Sequence, residues 1–93
     1  MNKDLEALRA EIAEIDAEIA SLIDRRIRAA EEVAMVKMAE GLPIVNEKAE
    51  ERVYERYAES ARRYGIREST MESVARLLIS EAVHREEIVA RRP

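Results

Sequence analysis

Apolar residues near the start of the chain recur in a strict alternation of three and four: Leu5, Leu8, Ile12, Ile15, Ile19 and Leu22. This spacing, averaging ~3.5 residues, belongs to a helix that packs along a second helix by a continuous seam. No Gly or Pro interrupts it before Gly41, so the spacing predicts one helix from about Lys3 to about Ala39. Such a helix is ~55 Å long at ~1.5 Å per residue. A compact chain of this size has a radius of gyration of only about 12 Å. The remainder of the chain cannot cover a rod of that length. A second copy can, with the two long helices side by side and the shorter ones packed around both. The expected assembly is an interlaced homodimer.

Two further helices follow from the punctuation. Asn46 is a good N-cap, and Glu47, Glu50 and Glu51 suit a first turn. Val53, Tyr57, Ala61 and Tyr64 share a face, and Gly65 suits the C′ position. Ser69-Thr70-Met71-Glu72 reads as a capping box opening a third helix. The stripe of that helix is Met71, Ala75, Leu78, Ile79, Ala82 and then Glu86. With two Gly, two Pro and 47% hydrophobic residues, a β-sandwich or a disordered chain is disfavoured. The expectation is an all-α, three-helix protomer forming a single domain over residues 1–93.

Composition also removes whole classes of chemistry. There are no cysteines, so thiolate catalysis, disulfides and cysteine zinc sites are excluded. His84, the single histidine, makes a zinc site or a Ser-His-Asp triad a poor reading, and no metal or cofactor is expected. A net charge of −4 with both signs interleaved disfavours nucleic-acid binding. No apolar run approaches the ~20 residues of a membrane span. The charged beginning MNKDLEALRA lacks the apolar core of a signal peptide, which suggests a cytoplasmic protein.

Three polar residues stand where apolar ones belong. Continuing the alternation past Leu22 gives Arg26, Ala29, Val33 and Val36, so Arg26 interrupts the seam. Lys37, eleven residues beyond Arg26, lies only ~20° round the helix from it. Glu86 occupies the stripe of the third helix. Charged groups at such positions cost free energy unless they pair with one another or with a ligand. Either they form a buried ion-pair layer that fixes helix register, or they line an internal pocket for an anion. Three in one short chain favour the pocket.

The sequence resembles the all-helical, AroQ-class chorismate mutases over nearly its whole length. The first helix carries Leu8-Arg9-Ala10-Glu11-Ile12-Ala13-Glu14-Ile15-Asp16, then Leu22-Ile23-Asp24-Arg25-Arg26, then Val33-Ala34-Met35-Val36-Lys37. Gly41-Leu42-Pro43-Ile44 and the acidic start of the second helix continue the match. The ordered set Arg9, Asp16, Arg26, Lys37, Pro43 and Glu50 is more specific than any single element. The resemblance implies a three-helix protomer in an intertwined dimer. It also implies the Claisen rearrangement of chorismate to prephenate, on the route to Phe and Tyr, with no cofactor and no covalent intermediate.

By resemblance, Arg26 clamps one substrate carboxylate, a task that suits the planar guanidinium fork. Arg9 takes part in binding the other. Within one helix these arginines lie ~25 Å apart, too far to share a small ligand, so Arg9 must come from the partner chain. Lys37 donates to the ether oxygen and a carboxylate, Glu50 accepts from the ring hydroxyl, and Asn46 offers its backbone N–H.

The chain also departs from the family pattern. Ala49 and Ala82 stand where the family often has polar residues, and Glu86 replaces a frequent glutamine at a second ether-oxygen donor. A carboxylate only accepts hydrogen bonds, so Glu86 donates only when protonated. Activity is therefore expected to rise as pH falls between about 8 and 5, and Glu86→Gln to flatten the profile. Two alternatives remain: an isochorismate pyruvate-lyase on the same fold, and a non-catalytic helical dimerisation or regulatory module.

Overall fold

The computed structural model describes residues 4–92. It consists of α1 (Leu5–Glu40), α2 (Glu47–Tyr64) and α3 (Glu68–Ala90), with no strand among the described residues. Lys3, the expected start of α1, lies outside the described residues. Asp4 caps α1 by accepting from the Ala7 N–H at 2.8 Å. The helix ends at Gly41, whose φ of 70° is a conformation that L side chains resist. There the Leu42 N–H donates to the Lys37 carbonyl at 2.8 Å and the Gly41 N–H to the Met38 carbonyl at 3.3 Å. That pattern satisfies carbonyls the helix would otherwise leave open.

The same logic bounds α2. The Asn46 side chain accepts from the Ala49 N–H at 3.1 Å, as expected of its N-cap. Gly65 closes the helix at φ 66°, with the Ile66 N–H on the Ala61 carbonyl at 2.9 Å.

The start of α3 corrects the sequence reading. Its N-cap is Arg67, which makes no side-chain cap bond, and the helix is already formed at Glu68. After Gly65 reverses the chain, two residues suffice to reach the next helix. The Thr70 N–H finds the Arg67 carbonyl at 3.1 Å. Ser69 is thus inside the first turn, where its carbonyl accepts from the Ser73 hydroxyl at 3.0 Å. The expected capping box does not form.

The third helix is the central element. It packs against both α1 and α2, whose backbones do not approach each other closely. Small residues make the close approaches: Ala30 and Ala34 on α1, Ala61 on α2 and Ala75 on α3 are all buried. On α1 Ala30 and Ala34 are buried and Arg26, Ile27, Glu31 and Lys37 half-buried, a face rotated from the seam, so Val33 and Val36 stay exposed. Tyr54 and Tyr57 are half-buried, while Tyr64 lies exposed with Arg63 over its ring at 5.4 Å. His84 is exposed, as expected from its place off the stripe.

Every residue of α1 as far as Arg25 is exposed. The seam stands open along that length: Leu5 is 61%, Ile12 57% and Leu22 56% exposed. The extents of 58 × 28 × 15 Å and the radius of gyration of 16.9 Å describe a rod with two short helices against one end. The radius exceeds the ~12 Å of a compact chain of this length.

Candidate active site

Because α1 and α2 both lean on α3 while their backbones stay apart, a cleft opens between them with α3 as its floor. Its cavity measures about 200 Å³. Arg26 and Lys37 reach it from α1, Asn46 and Glu50 from the start of α2, and Glu86 from α3. Val33, Ile44, Val53 and Ile79 supply an apolar wall, and Ala49 and Ala82 complete it.

Lys37 is the most constrained of the polar groups. Its Nζ donates to the main-chain carbonyl of Ile44 and to Glu86 Oε2 at 3.4 Å. Both side chains of this ion pair are largely withdrawn from solvent, Lys37 at 19% and Glu86 at 10% exposed. Glu86 is the buried charged residue among those described. Arg26 is half-buried, and its Nη1 donates to the Leu78 carbonyl on α3 at 3.3 Å. That contact uses one donor of a five-donor fork and leaves others for a ligand. Two cations and two carboxylates thus share one partly apolar cleft, where low dielectric strengthens each charge's reach.

The sequence placed Arg26, Lys37, Asn46, Glu50 and Glu86 in one site, and all five line this cavity. Arg9 does not: it sits on the exposed N-terminal half of α1, ~25 Å along the axis from Arg26. Two groups were not foreseen, the carbonyls of Ile44 and Leu78. Main-chain acceptors leave no signature in residue type, so no pattern in the sequence marks them. Val53 was foreseen as a face residue of α2, though not as a cavity wall.

Three helices that converge guanidinium, ammonium and carboxyl groups on one cleft define an all-helical enzyme for a small anionic substrate. The chain belongs to the chorismate mutase type II family, whose sequence pattern matches residues 8–87. It is an isomerase that converts chorismate to prephenate. No single curated protein matches the chain. No described helix is long and apolar enough to cross a membrane.

Proposed function

We propose that the cleft between α1 and α2 is the chorismate site, completed in an intertwined homodimer by Arg9 of the partner subunit. The chain acts as a single chorismate mutase domain over residues 1–93, in the cytoplasm. The observation that carries this reading is the convergence of Arg26, Lys37, Glu50 and Glu86 from three helices on one cavity. Support for the dimer comes from the open seam and from the distance between Arg9 and Arg26.

Chorismate has two carboxylates, a ring hydroxyl and an ether oxygen. In its rearrangement the ether C–O bond breaks as a C–C bond forms, with no electron or proton supplied from outside. The protein lowers the barrier by restraining the enolpyruvyl arm over the ring and by stabilising negative charge on the departing ether oxygen. Arg26 grips one carboxylate with its fork, and the partner subunit's Arg9 meets the other. Glu50 accepts from the ring hydroxyl and the Asn46 N–H supports it. Lys37 donates to the ether oxygen and a carboxylate. Glu86 stands beside Lys37 at the position of a second donor, a role that its carboxyl fills only in the acid form. The apolar side chains of Val33, Ile44, Val53 and Ile79 lower the local dielectric beside these charges, which strengthens them.

The test is loss of chorismate absorbance with prephenate identified as product, in the parent protein and in Arg26→Ala. Prephenate formation that falls at least ~100-fold in the variant supports the site, as loss of a charge-stabilising donor of this kind predicts. Parent-level turnover in Arg26→Ala, or pyruvate release from isochorismate without prephenate formation, overturns it.

A further inference from the structure

We infer that the main-chain carbonyl of Ile44 is a positioning group for the reaction, fixing the Lys37 ammonium without neutralising it. This rests on the reading of Lys37 as a donor to the ether oxygen.

A lysine ammonium sits on a flexible four-carbon stem, so holding it in one place costs conformational entropy. Beside Glu86 it has an obvious place to settle. Full contact with that carboxylate would, however, cancel the charge the reaction needs. A carbonyl acts differently: it accepts a hydrogen bond and orients the ammonium while leaving its net charge intact. In this structure Lys37 Nζ donates to Ile44 O, and its contact with Glu86 is the longer one, at 3.4 Å. The ammonium has three donors. One is held by Ile44, one leans on Glu86, and one remains for the cavity. Of the two contacts, only the one with Ile44 O leaves the charge of the ammonium uncompensated.

The six residues between α1 and α2 are built to present that carbonyl. On one side Gly41 and Leu42 bond back to Met38 and Lys37, so the connection is anchored to the turn that carries the lysine. Pro43 follows, with its φ fixed by the ring. On the other side Asn46 is tied into the first turn of α2 through the Ala49 N–H. Ile44 lies between two anchored ends, and it also lines the cavity. The connection thus sets the position of the lysine that acts inside the cleft it borders.

The first test reads the bond itself. In protein labelled with ¹⁵N-lysine and with ¹³C in the isoleucine carbonyls, a scalar coupling is expected between Lys37 Nζ and the Ile44 carbonyl carbon. It should appear both without ligand and with saturating prephenate. Its absence from both samples overturns the proposal. The second test replaces the Ile44–Val45 amide by an ester, which weakens that carbonyl as an acceptor and keeps every side chain. Weakening a hydrogen bond to a charged group should lower kcat about fivefold, with KM changed by no more than about twofold. Unchanged kcat overturns the proposal, and so does a rise in KM without a fall in kcat. Lys37→Met separates the two levels of the argument. Parent-level turnover in that variant removes the catalytic reading of Lys37. An inactive Lys37→Met together with a silent ester removes only the positioning role of Ile44.

Discussion

At the scale of single residues, the site is a contest between groups that neutralise each other and groups that leave charge available. Lys37 and Glu86 pair across 3.4 Å with both side chains largely buried. A carboxylate only accepts, so a donor to the ether oxygen at this position is better supplied by an amide. Glu86→Gln should therefore keep or raise kcat/KM in steady-state assays; a fall of about tenfold or more would contradict a donor role at this position. In the proposed site Arg26 grips a carboxylate by planar, two-pronged recognition. Arg26→Lys keeps the charge and loses the fork, and kcat/KM should fall about 10- to 100-fold in steady-state assays. Arg26, Lys37 and Glu86 were legible in the sequence because each breaks an apolar stripe at a position set by helix periodicity. Asn46 and Glu50 were legible only through family resemblance, since acidic and cap residues are ordinary at a helix N-terminus. The carbonyls of Ile44 and Leu78 were not legible at all.

At the scale of elements, the helix ends decide where the site residues stand. Gly41 and Gly65 hold φ near +70° and +66° and close α1 and α2. A methyl group at Gly41 would meet nothing within 4 Å, so the cost of Gly41→Ala is the backbone conformation alone. That cost is about 1–2 kcal/mol, measurable by denaturant unfolding. Asn46→Ala removes the side-chain cap of α2 and should cost ~1 kcal/mol. No loss of stability in either variant would contradict these capping roles. The seam of α1, the caps of α2 and both glycines were readable because local chemistry fixes them. The beginning of α3 was not, although Ser69 to Glu72 has the composition of a capping box. The Gly65 turn delivers the chain to Arg67 already aligned for a helix, and tertiary geometry overrides local preference there. The rotation between the α1 seam and its face toward α3 was hidden for a similar reason. Val33 and Ala34 are both small and apolar, and only packing distinguishes which is covered.

At the scale of the whole molecule, the dominant fact is the uncovered half of α1. A seam of large apolar residues exposed over half a helix far exceeds what a monomer normally leaves to water. Ile15→Asp, placed mid-seam, should shift the sedimentation coefficient from dimer to monomer and abolish turnover. A variant that stays dimeric and active would place the interface elsewhere. The central claim is that each active site draws Arg9 from one subunit and Arg26 from the other. Its most direct measurement mixes Arg9→Ala with Arg26→Ala, each inactive alone, after unfolding and refolding them together. If sites are shared, a mixed dimer carries one doubly damaged site and one intact site. With half of the dimers mixed, activity should recover to about one quarter of the parent value. Activity no greater than that of the two inactive variants refolded separately, with mixed dimers confirmed by mass, would contradict the account.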